Sequence, residues 1–212
     1  MPWLTLIGAC AVLAIFGGWA ALPWLHYIAK PLTTLLVAAM VWRGPAVAKT
    51  YRRAILTGLV LSTAGDVFLM LPGDRFVFGL ASFLLAHCAY LVALTRRARL
   101  LAVAWPFAAY AAVAGMVLAV LWPHLPVPLR GPVIAYVVVL TAMAAQAAAA
   151  WRLHRDRATA LAAVGRLFFV ASDAMLAINR FAAPFAGAQP AVLASYWIAQ
   201  SLIGLSVPRG TR

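Results

Sequence analysis

Two carboxylates sit inside long apolar runs. Asp66 lies in Leu61-Ser62-Thr63-Ala64-Gly65-Asp66-Val67-Phe68-Leu69-Met70-Leu71, and Asp173 lies in a second run of the same kind. The chain has only four acidic residues and no glutamate; the others, Asp74 and Asp156, stand beside arginines in short polar breaks. A charge within an apolar helix costs several kcal/mol unless the carboxyl keeps its proton. Two carboxyls sharing such a site can divide acid and base work. The one holding a proton donates it, while the ionised one stabilises a cation or activates water.

Composition says what must position them. Of 212 residues, 66% are hydrophobic and 10% charged, too little polar surface for a soluble domain. Apolar runs of about 16 to 23 residues recur along the chain, close to the length a bilayer requires. Strand alternation is absent, so the reading is an all-α, polytopic transmembrane helical bundle in one integral membrane domain over 1–212. Eight spans fit: about 3–22, 28–43, 52–71, 76–95, 99–121, 130–151, 159–179 and 191–207, delimited by Pro, Gly and charged breaks. Trp3, Trp24, Tyr27, Trp42, Tyr51, Trp122 and Trp151 fall near their edges, as interfacial aromatics do. The first segment has neither a basic flank nor a small-residue cleavage site and is expected to remain as a span.

The formal net charge of +13 raises nucleic acid as a partner, but the basic residues cluster at span ends and no binding motif accompanies them. Arg43, Lys49, Arg52, Arg53, Arg96, Arg97, Arg99, Arg152, Arg155, Arg157, Arg209 and Arg212 fall on one side, against Arg75, Arg130 and Arg180 on the other. Both termini are therefore expected in the cytoplasm of a cell, with a bacterial inner membrane as the host. Cys10 and Cys88 lie in apolar runs and suggest neither a disulfide nor a metal cluster.

Asp66 and Asp173 are about half the chain apart, each in the first helix of a hairpin and each preceded by small residues. That pattern fits a 4+4 tandem repeat placing both in parallel helices, about 7 to 9 Å inside the outer boundary. Other polar residues fall in the same layer. Lys30 starts the second span, Asn179 and Arg180 end the seventh, and Tyr196 and Gln200 share a face of the eighth. His87 and Tyr90 share a face of the fourth, somewhat deeper. Arg180, seven residues after Asp173, could pair with that carboxylate or hold an anionic headgroup. Blander readings stand beside these: a snorkelling Lys30, an interhelical hydrogen bond for His87, and ordinary polar packing for Tyr90, Tyr196 and Gln200. Arg166 is expected to snorkel towards the cytoplasmic side, and His26, His124 and His154 to lie at interfaces or loops. Asp66, Asp173 and His87 could make a metal set, yet no ligand spacing reinforces it; no metal is expected.

Several blocks together resemble the YhhN-like lysoplasmalogenase family. They are Lys30-Pro31-Leu32-Thr33-Thr34, Ser62-x-x-Gly65-Asp66-x-x-Leu69-Met70-Leu71-Pro72 and Phe78-Gly79-Leu80-x-x-Phe83-Leu84-x-Ala86-His87-x-x-Tyr90. The later ones are Ser172-Asp173-x-x-Leu176-Ala177-x-Asn179-Arg180-Phe181 and Tyr196-x-x-Ala199-Gln200-x-Leu202-Ile203. The resemblance runs in order from about residue 28 to residue 206; Arg166 departs from it, where the family carries a small or apolar residue. It implies an eight-span enzyme cleaving the vinyl ether bond of lysoplasmalogens to a fatty aldehyde and glycerophosphoethanolamine or glycerophosphocholine, with no cofactor. It also implies a lysophospholipid partner, Asp66 and Asp173 as catalytic residues, and Lys30, His87, Tyr90, Asn179, Arg180, Tyr196 and Gln200 around the substrate. The residues by themselves leave two alternatives open. One is a small transporter or proton-coupled carrier; the other is a membrane hydrolase acting on a different lipid bond. Neither headgroup preference nor oligomeric state is legible.

Overall fold

A computed structural model describes residues 2–45 and 47–208. It holds eight α-helices: α1 (Pro2–Trp19), α2 (Pro23–Arg43), α3 (Lys49–Met70), α4 (Phe76–Thr95), α5 (Trp105–Leu121), α6 (Val127–His154), α7 (Arg157–Ala177) and α8 (Ala188–Leu205). A 3-10 turn (Trp122–His124) follows α5, and a π turn (Ile178–Ala182) continues α7. No strand occurs among the described residues. Arg209 and Arg212, counted above for topology, lie outside them.

Seven helical stretches are long and apolar enough to cross a membrane. The exception is α8, diluted by Gln189, Ser195, Tyr196 and Gln200, the last three of them buried. A helix enclosed by its neighbours can carry polar groups that a lipid-facing one cannot. The fifth span is the largest boundary correction, starting at Trp105 rather than 99. Leu101 takes a left-handed φ of 61°, and Pro106 sits in the first turn of α5, where its missing N–H costs nothing. Tyr51, expected at an interface, is buried and shares a hydrogen bond of 2.9 Å with the Ser206 hydroxyl.

Neighbour relations repeat with a period of four helices. α1 packs on α2 as α5 on α6, α2 on α3 as α6 on α7, α3 on α4 as α7 on α8, and α2 on α8 as α6 on α4. The correspondence is incomplete: α1 packs on α8, whereas α5 stands off α4. Close approach elsewhere depends on small residues. A Cβ at Gly58 would lie 2.1 Å from the Tyr90 ring, and one at Gly65 would lie 2.6 Å from the Phe83 ring. Glycine there lets α3 and α4 meet face to face.

Candidate active site

Asp66 is 2% exposed and is held by two hydroxyl donors and an ammonium group from two other helices. Thr34 Oγ1 donates to its Oδ2 at 2.9 Å and Tyr196 OH to the same oxygen at 2.8 Å. Lys30 Nζ stands 3.8 Å from Oδ1. A further layer backs these groups: Trp197 Nε1 donates to Thr34 Oγ1 at 3.4 Å, and Gln200 Nε2 to the Tyr196 hydroxyl at 3.1 Å. Tyr90 OH in turn donates to Gln200 Oε1 at 2.8 Å. Every hydroxyl and amide in this chain has one direction to point, so the Asp66 carboxylate is fixed.

Asp173 has a different escort. Tyr136 OH donates to its Oδ2 at 2.5 Å, and His87 Nε2 lies 3.5 Å from that oxygen and 2.9 Å from the Tyr136 hydroxyl. Because the phenol proton is committed to Asp173, His87 donates through Nε2–H, a tautomer assigned from the network. Its Nδ1 is buried without a protein partner. Asp173 is partly exposed, to a cavity on either side.

One cavity is polar and holds about 730 Å³. Lys30, Asp66, Asp173, Asn179 and Tyr196 line it, together with His26 and Gln189. Five of the nine residues picked from the sequence thus meet around one space. Three more, His87, Tyr90 and Gln200, are fully buried and act from behind the wall. Arg180 does not join them. The π turn carries it outward, where its guanidinium lies 2.8 and 2.9 Å from the two oxygens of Asp74 and 4.3 Å from the Phe76 ring. Through one nitrogen, Nη2, and its stacking on Phe76, the guanidinium is held at the α3–α4 turn and away from the cavity.

The sequence reading missed several members. Tyr136 is a lone phenol in an alanine-rich helix, with no local signal that α6 turns it towards α7. His26, placed at an interface by its position, lies on the cavity wall one turn before Lys30 on the same face of α2, its Nδ1 2.8 Å from the Ala14 carbonyl. That spacing was a usable signal. Arg166 does not snorkel: it is fully buried, donating from NH1 to the Ala162 carbonyl at 3.2 Å, with its guanidinium 5.7 Å from the Tyr90 ring centre. Its face of α7 is turned into the bundle, which closes the route to the surface. Among the described residues no three His, Cys, Asp or Glu side chains converge as a metal site.

Comparison with known proteins gives this site a context. The YhhN family matches residues 25–207. A protein named lysoplasmalogenase from Mycobacterium bovis is 43% identical over 138 residues, 61% of this chain and 51% of that one. The human lysoplasmalogenase TMEM86A is 35% identical over 156 residues, 72% of this chain and 64% of its own. The human lysoplasmalogenase TMEM86B is 30% identical over 215 residues, 98% and 87%. The matched part thus spans about half the length of the mycobacterial relative. No solved structure matches the chain.

Proposed function

Because the chain belongs to the YhhN family, we propose that it is a lysoplasmalogenase that hydrolyses the vinyl ether bond of alkenyl-glycerophosphoethanolamine or -choline with Asp66 and Asp173 as an acid/base pair. One observation carries this reading. Two aspartates from two transmembrane helices face the same polar cavity, each oriented by hydroxyls from other helices.

The chemistry needs little else. A proton is added to the β-carbon of the vinyl ether, leaving an oxocarbenium ion; water adds to the α-carbon, and the hemiacetal collapses to aldehyde and glycerol hydroxyl. A carboxylic acid supplies the proton and a carboxylate lies against the cation. Lys30, with His26 beside it, faces the phosphodiester, and Asn179 and Tyr196 contact the glycerol portion. Tyr90, Gln200 and His87 keep the first row in place. Arg180 stabilises the outer turn instead of binding phosphate.

The test is aldehyde release from lysoplasmenylethanolamine by purified protein, with EDTA present and absent. Wild type is expected to release aldehyde in both conditions. Asp66→Asn and Asp173→Asn, retained as folded helical proteins, should each be slower by roughly 10²- to 10⁴-fold. Well-folded wild type that releases no aldehyde would sink the substrate assignment.

A further inference from the structure

A second cavity, of about 910 Å³, lies beside the polar one and is lined almost wholly by apolar side chains of α5, α6 and α7 with the outer parts of α3 and α4. It fills the place where the helix repeat breaks, between α5 and α4. Its wall runs from Tyr110 near the middle of α5 to Leu121 at its outer end, about 16 Å along the helix. Val113, exposed on the outside of α5, also contributes, so the cavity reaches the lipid-facing surface. Leu69, Phe83, Asp173 and Leu176 belong to the walls of both cavities. Asp66 and Lys30 belong only to the polar one.

Resting on the lysoplasmalogenase reading, we infer that the alkenyl chain of the substrate occupies this apolar cavity with the head in the polar one, which makes Asp173 the proton donor to carbon and Asp66 its ionised partner. In a 1-alkenyl lipid the ether oxygen is on the glycerol side and the β-carbon on the chain side. With the chain beyond Asp173 and the phosphate at Lys30, the β-carbon meets Asp173. The ether oxygen and α-carbon meet Asp66. The escorts agree with that division. Asp66 faces a cation and two hydroxyl donors, groups that hold a negative charge; Asp173, at the equivalent place in the repeat, has a neutral phenol and an imidazole.

The cycle then closes. Asp173 gives its proton to the β-carbon as the C=C π pair takes it, and the oxocarbenium ion forms against the Asp66 carboxylate. Water adds to the α-carbon and loses its proton to Asp66. In the collapse the hemiacetal hydroxyl returns a proton to Asp173, the carbon–oxygen bond to glycerol breaks, and Asp66 protonates the departing oxygen. Both carboxyls end as they began, and one water is consumed. Since bilayer and cavity are equally apolar, moving the chain between them gains nothing by the hydrophobic effect. The cavity's contribution is alignment of the double bond, which appears in kcat.

The experiment uses a single-chain glycerophosphoethanolamine in which a secondary ammonium replaces the vinyl ether, so that it resembles the cation, with a diazirine at the chain end. Its affinity is titrated against wild type, Asp66→Asn and Asp173→Asn in detergent, and the photolabelled residues are mapped by mass spectrometry. Expected are a loss of affinity of about a hundredfold or more in Asp66→Asn, and less than about threefold in Asp173→Asn. Label should fall on cavity-lining positions of α5 and α6, and Ala114→Phe should remove it while lowering kcat more for long chains than for short ones. Equal losses in both asparagine variants, the reverse order, or label on the outer faces of other helices would overturn the inference. Binding and labelling need no turnover. If both behave as expected and the aldehyde assay fails, it is the substrate reading that falls, and the orientation of the lipid stands.

Discussion

At the scale of single residues, the reactive groups are commonplace and their partners set their chemistry. Tyr136 is the clearest case: one hydroxyl joins His87 to Asp173. Tyr136→Phe removes the donor to Asp173 and leaves His87 Nε2 without its acceptor, while the ring still fills its place. A hydrogen bond to a charged or partly charged group is worth about 1.5–3 kcal/mol, so kcat is expected to fall by roughly ten- to a hundredfold with KM within about twofold. Stopped-time aldehyde assays over a range of substrate concentration separate the two; a change in KM alone would assign Tyr136 to binding. The two cations near the site should behave oppositely. Lys30 faces the polar cavity and Asp66, so Lys30→Met should raise KM and lower kcat. Arg180 is committed to Asp74, so Arg180→Met should leave KM nearly unchanged and show itself in thermal stability. An Arg180→Met protein with an intact Tm and a KM raised tenfold would restore the role the sequence suggested.

At the scale of elements, α3 shows how the placement of Asp66, proposed above as catalytic, depends on glycine. Gly58 and Gly65 are seven residues apart, two turns on one face, and that face meets Tyr90 and Phe83 of α4. Gly58→Val would drive a side chain into the Tyr90 ring, which is buried and bonded to Gln200 and so cannot swing away. Overpacking of this kind costs about 1–3 kcal/mol, and here it also displaces the Tyr90–Gln200–Tyr196 support of Asp66. A fall in both Tm and kcat is expected, measured on the same preparation. On the other side of the bundle, Asp156 caps α7, accepting from the Thr159 N–H at 2.7 Å and from Arg97 at 2.6 Å. Its slight burial pushes the carboxyl up, but the Thr159 N–H and hydroxyl, Arg97 and His154 outweigh it and hold Asp156 below the usual carboxylate range. A folded value below the unfolded one means the stabilisation is present above about pH 4 and is lost as pH falls through the folded value. Asp156→Ala should cost about 1 kcal/mol at neutral pH; Asp156→Asn should retain most of the cap and lose the acid-side fall in Tm. The charged loops and apolar runs were legible in the sequence because they are local. The direction in which a long apolar helix turns its faces is not local, which is why Asp66, Asp173, Lys30, Tyr196 and Arg180 could be grouped by depth whereas the facing of Tyr136, of buried Arg166 and of outward Arg180 could not be read.

At the scale of the whole molecule, near-repetition brings the two aspartates together and its imperfections make them different. Asp66 on α3 is held from α2 and α8, and Asp173 on α7 from α6 and α4, the same relation displaced by four helices. A repeat that was faint in sequence is plain in packing, because packing preserves neighbours where side chains have diverged. Lys30 on one side and Tyr136 on the other give the two carboxyls unlike partners, and the gap beside α5 gives one of them an apolar neighbour. The bundle is also closed at both ends, by Arg180 with Asp74 at the ends of α3 and α7 nearest the site, and by Arg97 with Asp156 at the opposite end. The loops and flanking helix ends on that opposite side carry ten described basic residues, against three at the end nearer the site. By the positive-inside rule the basic end is expected in the cytoplasm, an orientation in which the polar cavity would draw its lipid from the outer leaflet. In a variant with Cys10 and Cys88 replaced, Phe185→Cys is therefore expected to react with a membrane-impermeant maleimide in intact cells, and Leu100→Cys only after lysis. Both positions are exposed beyond the helix ends, so reactivity reports the side of the membrane. The reverse pattern would invert the topology and make the substrate a lipid of the cytoplasmic leaflet.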